Sequence, residues 1–352
     1  MRASTWGARL LTAPLGVIGA IVGLGLLSSG GLRWQFAVQA MSSGFDTGDG
    51  GILVPALQIG GGILLLALVV FSGVWSSAGL LAAGALTIVP LLLTFVPEVT
   101  MTVYRIFGEM VPREWMDGLL MGTPLMVLPV FGGLGLALMG LRRHPEPAPT
   151  PLRIGGLFAV PLLLFAGGWA LVWGNGVAST RLVQLFNFNP DPMALLAIIG
   201  GIVIVVIALG MLRWSPYAVL VPSLALIIGV IVSAVAPLVL YESLLPLNQV
   251  LAGQVMQLMA TGIALAVAVI YLTFTVTAII VRRRGMRTAR PGELPGVTAG
   301  FATVMPSDQQ VWPPAPPAYS PVSPAQPQVP PTYPPAAPPA QGTGDSSPWQ
   351  RP

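Results

Sequence analysis

Eight long apolar segments constrain the fold of this chain more than any other feature of its sequence. A helix needs about 20 apolar residues to cross a bilayer, whereas a strand of a membrane barrel needs only ~10 that alternate with polar ones. Only helices and closed barrels satisfy every backbone hydrogen bond in lipid. The sequence therefore predicts an all-α integral membrane protein with about eight transmembrane helices. The segments cover residues 10–28, 51–72, 77–97, 118–141, 154–174, 191–212, 216–240 and 253–281.

The composition agrees with lipid as the main solvent. Charged residues make up 8% of the 352 positions, whereas a soluble domain carries roughly a quarter. All sixteen basic residues are arginine, a bias typical of a high-GC bacterium, so we expect the protein in a bacterial plasma membrane with membrane lipid as a partner. The arginines lie at the ends of apolar segments and are not interleaved with aromatic residues, so we expect no nucleic-acid partner.

The inventory of reactive side chains argues against catalysis. The chain has no cysteine, which excludes disulfides, iron–sulfur clusters and thiol chemistry, and it has one histidine, His144. No predicted helix carries Asp, Glu, Lys or His near its middle, where ion-coupled transporters and proton relays normally keep such a group. We therefore expect no catalytic residue, no metal and no cofactor, and we predict that the protein is not an enzyme.

Arginine placement predicts the orientation. If the N-terminus is cytoplasmic, eleven arginines flank the cytoplasmic ends of the segments and four flank the outer ends, as the positive-inside rule requires. Both termini are then cytoplasmic, and the protein is a multi-pass protein of the plasma membrane. Eight acidic residues fall on the outer side: Asp46, Asp49, Glu98, Glu109, Glu114, Asp117, Asp191 and Glu242.

An internal repeat divides the membrane region into two halves. A nearly constant offset in residue number carries Trp75 onto Trp214, Pro97 onto Pro237, and Arg9 onto Arg153. Each half has four segments, so it enters and leaves the membrane on one side. The pattern predicts two parallel four-helix repeats related by an axis along the membrane normal. The first segment resembles a signal peptide, but it corresponds to the fifth segment, so we expect it to be retained.

Proline content sets the remaining boundaries. Residues 145–152 alternate proline with other residues and predict an extended linker. Residues 291–352 contain eighteen prolines and no apolar segment able to form a core, so they predict a disordered cytoplasmic tail. We call residues 1–144 the first half and residues 153–290 the second half.

Glycines and prolines inside the segments have two interpretations each. The glycines indicate close helix packing, or alternatively a substrate cleft between the halves. The prolines indicate helix kinks, with a gating role as the alternative. The glycines are Gly19, Gly23, Gly60, Gly61, Gly62, Gly200 and Gly201, and the prolines are Pro90, Pro124 and Pro129.

Two further segments are candidate docking surfaces. Residues 98–113 carry charges at helical spacing and predict either an interfacial helix that Pro112 stops or a solvated connector. The tail contains two P-P-x-Y motifs, which in a polyproline helix offer a docking site for a protein partner, with an inert tail as the alternative. These motifs consist of Pro316, Pro317 and Tyr319, and of Pro330, Pro331 and Tyr333.

Three functions remain open on this sequence. The first is a non-catalytic membrane platform or assembly component whose tail or outer loops recruit partners. The second is a permease or lipid-handling transporter with its substrate path between the two repeats. The third is a membrane-embedded transferase that uses Asp46 or Asp49.

Overall fold

The computed structural model describes residues 6–43, 51–185 and 187–289. Within these residues the chain forms thirteen α-helices and no strand. A π-helical turn (Thr180–Gln184) follows α8, and two 3₁₀ turns (Met211–Arg213 and Pro216–Val219) precede α10. The helices are α1 (Trp6–Ser42), α2 (Leu53–Ser72), α3 (Ala78–Ala85), α4 (Ile88–Phe95), α5 (Pro97–Phe107), α6 (Arg113–Leu120), α7 (Thr123–Arg143), α8 (Thr150–Ser179), α9 (Pro192–Gly210), α10 (Leu220–Val235), α11 (Pro237–Leu244), α12 (Gln249–Ala260) and α13 (Ile263–Ala289).

Eight segments of the described chain are long and apolar enough to cross a membrane, as the sequence predicts. They are α1, α2, the pair α3 and α4, α7, α8 with most of the π-helical turn, α9 with the first 3₁₀ turn, the second 3₁₀ turn with α10, and α13. The first segment continues to Met41 and the fifth to Val183, well beyond the predicted ends at residues 28 and 174. The helix α1 continues through Ser28 and Ser29, where the predicted segment ends. Both side chains are buried in the bundle, and Ser28 lies against Gly118 of α6.

The fourth and eighth segments begin later than predicted. Gly122 and Gly262 adopt left-handed φ angles of 73° and 78°, a region that favours glycine because it has no Cβ. Each glycine separates a short helix, α6 or α12, from the membrane-crossing helix that follows, α7 or α13. An apolar run alone does not reveal such a break, because both sides of it are apolar.

The helix bounds recur along the chain at the offset of the predicted repeat. The starts of α5 and α7, at Pro97 and Thr123, correspond to the starts of α11 and α13, at Pro237 and Ile263. The start of α2 at Leu53 corresponds, within one position of the same offset, to the start of α9 at Pro192. The two left-handed glycines are separated by this offset as well.

The centre of the bundle is formed by α7 and α13, the most deeply buried of the membrane-crossing helices. α7 packs against α9 of the second half, and α13 packs against α2 of the first half. The halves therefore interlock, because the last helix of each lies against the second helix of the other.

Charges divide between the two ends of the bundle. We call one end the arginine end, because α1, α7, α8 and α13 bring Arg9, Arg142, Arg153 and Arg282 to it. We call the opposite end the acidic end, where α5, α6, α9, α11 and the turns beside them carry six acidic residues. These are Glu98, Glu109, Glu114, Asp117, Asp191 and Glu242.

Candidate functional site

Close helix crossings in each half account for four of the predicted glycines. A Cβ on Gly62 of α2 would lie 2.8 Å from the carbonyl oxygen of Gly23 on α1. A Cβ on Gly201 of α9 would lie 2.8 Å from the carbonyl oxygen of Gly167 on α8. Gly19 lies against Val69 of α2. All of these contacts lie inside one half and not between the halves.

The other three predicted glycines have no such contact. A Cβ on Gly60 or Gly200 would have no atom within 4 Å outside its own helix, and one on Gly61 would only touch Leu26 at 3.9 Å. Adjacent glycines on one helix therefore differ sharply in what surrounds them.

The contact between α7 and α13, which we call the seam, lies in the buried centre of the bundle. Phe131, Leu134 and Leu138 of α7 and Phe274 of α13 are fully buried. A Cβ on Gly133 of α7 would lie 2.6 Å from the Cβ of Leu209 on α9, so these helices are also in close contact.

Side-chain amides tie the two halves together at the acidic end. Asn175 of α8 is 4% exposed and donates from Nδ2 to the carbonyl oxygen of Met121 at 2.8 Å. Gln257 of α12 donates from Nε2 to the Sδ atom of Met121 at 2.7 Å. Gly31 of α1 lies against Thr261. The sequence reasoning missed these amides because it searched the helices for titratable groups only.

A small polar pocket lies beside these amides, between α4 and α5 of the first half and α8 and α9 of the second. Its volume is about 50 Å³, enough for a few water molecules. Arg181 and Asp191 line it and form an ion pair at 2.7 Å. Pro90, the first of the predicted kink residues, also lines the pocket from the first turn of α4.

The other two predicted kink residues lie on α7. Pro124 is in the first turn of the helix, where its missing N–H would have no helical partner. Pro129 lies inside α7 and is buried in the bundle. Neither proline lines the polar pocket.

Ion pairs and hydrogen bonds fix the short helices α5 and α6 at the acidic end. Arg33 of α1 donates from Nε and Nη2 to one carboxylate oxygen of Glu114, at 3.0 and 2.7 Å. The hydroxyl of Tyr104 donates to Asp117 at 3.0 Å and accepts from Arg113 at 3.2 Å. The backbone N–H of Glu114 and then Arg33 lower the pKa of the Glu114 carboxyl, and the hydrogen bond with Tyr104 raises the pKa of Arg113.

The predicted helix over residues 98–113 is shorter in the structure. α5 ends at Phe107, and α6 begins at Arg113 directly after Pro112. The break falls at Gly108–Pro112, where Gly108 caps α5 and Pro112 cannot continue a helix.

Arginines bind backbone carbonyls at the opposite end. Arg142 donates to the carbonyl oxygen of Gly73, and Arg282 donates to that of Arg213 at 3.4 Å. The two donors are separated by the offset of the predicted repeat, and so are the two acceptors. The guanidinium of Arg213 also lies 4.9 Å above the ring of Trp214, a cation–π distance.

A large apolar cleft opens on the membrane-facing side of the second half. Its volume is about 460 Å³, and its walls come from α8, α10 and α12 with α7 and α13 behind them. Every lining side chain is aliphatic, aromatic, methionine, proline or glycine. We call this volume the lateral cleft.

Several predicted features lie outside the described residues. They are Asp46 and Asp49 of the first outer loop, and the tail residues Pro316, Pro317, Tyr319, Pro330, Pro331 and Tyr333. Within residues 6–43, 51–185 and 187–289, no group of three or more His, Asp or Glu side chains is close enough to hold a metal ion.

The chain matches none of the protein-family models, curated proteins or solved structures with which it was compared.

Proposed function

We propose that the membrane region consists of two tandem four-helix repeats in parallel orientation. The shared offset of the helix bounds supports this, and so do two contacts and one backbone conformation that each occur once in each half. The contact of Gly23 with Gly62 recurs as Gly167 with Gly201. The Arg142 hydrogen bond recurs at Arg282. The left-handed glycine before α7 recurs before α13.

We also propose that the arginine end and both termini face the cytoplasm of a bacterium. The positive-inside rule supports this orientation. The absence of native cysteine allows a direct test with Gly48→Cys and Ala340→Cys variants in intact cells. A thiol reagent that does not cross the membrane should label position 48 and spare position 340. Labelling at position 340 alone would reverse the orientation.

On this architecture, we propose that the protein is a non-catalytic membrane platform that recruits partner proteins. The observation that carries this proposal is the buried apolar seam, where α7 packs against α13 and large side chains of both helices are fully buried. A permease with its path between the repeats needs a polar, water-accessible space there. A platform instead needs a rigid body that holds its docking surfaces in place.

The acidic end and the tail are the proposed docking surfaces. Arg33–Glu114 and Tyr104–Asp117 hold α5 and α6 against the bundle, so their remaining charges form a fixed pattern. Glu109 is exposed on this surface. The P-P-x-Y motifs of the tail offer a second, separate docking element.

Cross-linking in native membranes tests the platform. We expect specific proteins to be captured with the full-length chain, and deletion of residues 295–352 or a Glu109→Arg change to remove at least one of them. Glu242→Arg is the matched control, because Glu242 is an exposed acid at the same end on α11. Identical capture with all four chains, or no specific capture, would contradict the proposal.

The transferase alternative has its own test. Asp46→Asn and Asp49→Asn should leave the phenotype of the protein unchanged if these residues are not catalytic. Loss of function in either variant, without loss of the captured partners, would favour the enzyme.

A further inference from the structure

The lateral cleft lies where a membrane-spanning protein meets hydrocarbon. Its walls include Phe165 of α8 and Val221 of α10, whose exposed fractions are 68% and 58%. Exposed apolar side chains on membrane-crossing helices face lipid, so the cleft opens laterally toward the lipid chains. Its volume of about 460 Å³ lies within the range of small-molecule sites, ~300–1,000 Å³.

In the corresponding region of the first half, a tryptophan side chain lies between two helices. The indole of Trp115 on α6 lies directly against Gly25 of α1. The residues at the equivalent positions of the second half are Val255 of α12 and Trp169 of α8, and both line the cleft. α12 therefore has no indole at this position with which to fill the space.

Helix spacing adds to the difference between the halves. In the first half, the backbones of α1 and α3 touch at Gly16 and Gly79, and a Cβ on Gly79 would lie 2.5 Å from the carbonyl oxygen of Thr12. The second half has Val160 where the first has Gly16, counted at the offset that carries Arg9 onto Arg153. A valine keeps α8 further from the helix beside it, which opens the space between α8 and α10.

The chemistry of the walls selects the occupant. Water finds few hydrogen-bond partners in a volume whose lining side chains are almost entirely hydrocarbon. Protein interiors rarely leave a space of this size unfilled. The cleft has no charged side chain to recognise a headgroup. The surrounding bilayer supplies flexible hydrocarbon chains at high concentration.

We propose that the lateral cleft binds one acyl chain of a membrane phospholipid, in the place that Trp115 occupies in the first half. The acyl chain enters between α8 and α10 and contacts Val255 and Met259 of α12. The headgroup stays outside the cleft, so the site selects the hydrocarbon and not the headgroup. This proposal uses the residue correspondence between the repeats but does not depend on the platform.

Photo-cross-linking of the full-length protein in phospholipid vesicles tests it. The vesicles contain phosphatidylcholine with a trace of phosphatidylcholine that carries a diazirine in one acyl chain, and adducts are mapped by mass spectrometry. We expect adducts on the cleft residues of α10 and α12 at higher yield than on Leu57 and Leu64, which are exposed on the lipid-facing side of α2. Phosphatidylglycerol with the same labelled chain should give the same yield.

A filling variant separates binding from simple contact with the bilayer. Val255→Trp places on α12 the side chain that Trp115 places on α6. We expect this variant to lower the yield of cleft adducts about tenfold, because the acyl chain can no longer be buried in the cleft. Leu224→Trp is the matched control, because Leu224 is 56% exposed on α10 and does not line the cleft. It should leave the yield unchanged.

Ala225→Phe fills the same space from α10 and replaces Val255→Trp if that variant does not fold.

Four results would overturn the proposal. The cleft adducts could persist in the filled variants or be no more frequent than those on α2. They could depend on an anionic headgroup. A cross-linked dimer that disappears on filling would instead assign the cleft to a second copy of the chain.

Discussion

At the scale of single residues, position within a helix contact decides what a glycine does. Gly60 and Gly62 lie close together on α2, yet only Gly62 faces the backbone of α1. Gly200 and Gly201 repeat the difference on α9. In lipid, such small residues let helices approach closely, and packing of this kind replaces the hydrophobic effect as a source of stability.

We therefore predict opposite effects for neighbouring glycine-to-alanine changes. Gly62→Ala and Gly201→Ala should each lower the unfolding free energy by about 1–3 kcal/mol, because the new Cβ meets backbone atoms that cannot move aside. Gly60→Ala and Gly200→Ala are the controls and should be neutral or slightly stabilising. Thermal unfolding in detergent, followed by tryptophan fluorescence, measures both. Equal effects at the paired positions would show that these crossings are not close.

A second residue-scale prediction concerns pH. Because the pKa of Glu114 is lowered in the folded protein, its ion pair with Arg33 stabilises the fold above the unfolded pKa and loses that effect as the pH falls through the folded pKa. Both side chains are partly exposed, so the contribution is at most about 1 kcal/mol. Glu114→Gln should lower the melting temperature slightly at pH 7 and by less at pH 3.

The matched control for this pair is Glu109→Gln, since Glu109 is exposed and lies on the same surface. It should not change the melting temperature at either pH. A loss in the Glu114→Gln variant that is as large at pH 3 as at pH 7 would mean that the carboxylate charge is not what stabilises this contact.

At the scale of elements, the left-handed glycines set where the membrane-crossing helices begin. Gly122 separates α6 from α7, and its missing side chain leaves room for the amide of Asn175. Gly262 separates α12 from α13 and lies against Ile59. Each turn rests on a helix of the other half, α8 at Gly122 and α2 at Gly262, so the two breaks are part of the interlock.

Replacing either glycine by alanine should therefore lower the free energy of unfolding. Gly122→Ala is expected to lose about 1–3 kcal/mol from backbone strain alone, and more because the Cβ would overlap Asn175. Gly262→Ala should lose less, because its nearest neighbour is the Cγ2 methyl of the Ile59 side chain at 2.9 Å, whereas the Cβ of Gly122→Ala would lie much closer than this to the amide oxygen of Asn175. Gly132→Ala is the control, with its nearest contact at 3.6 Å. We expect the melting temperature to be highest for Gly132→Ala, lower for Gly262→Ala and lowest for Gly122→Ala. An unchanged melting temperature in the Gly122→Ala variant would contradict this prediction.

Sequence patterns predict the eight membrane-crossing elements well, but not all of their ends. Apolar length is a local property that sets how far a helix can span lipid, so all eight spans are found. The ends of α1 and α8 depend on which small polar residues are buried by neighbours. The starts of α7 and α13 depend on single glycine conformations. No local pattern contains either kind of information.

At the scale of the whole molecule, the interlock of α7 with α9 and of α2 with α13 makes each half part of the other's core. One buried apolar cluster includes Leu134 of α7, Leu209 of α9 and Phe274 of α13. Two halves joined only by a linker would share a smaller surface. This arrangement explains why α7 and α13 are the most buried membrane-crossing helices.

The interlock predicts that the halves assemble without a covalent link. Residues 1–147 and 148–352, expressed together as two chains, should co-purify from membranes. Gly133→Leu should abolish co-purification, because a leucine would push α7 away from Leu209. Gly210→Leu is the control, since no atom lies within 4 Å of its added Cβ. Retained co-purification in the Gly133→Leu pair would show that the α7–α9 contact does not hold the halves together.

The sequence by itself determined that the described chain has eight segments long and apolar enough to cross a membrane, because hydrophobic length is a local property of the sequence. Only the tertiary structure decided which glycines meet a neighbouring backbone, that α7 and α13 form the buried centre, and that an apolar cleft lies among α8, α10 and α12. These features depend on pairs of residues that are far apart in sequence, such as Gly25 with Trp115 and Trp169 with Val255. Their distances are set by how whole helices cross.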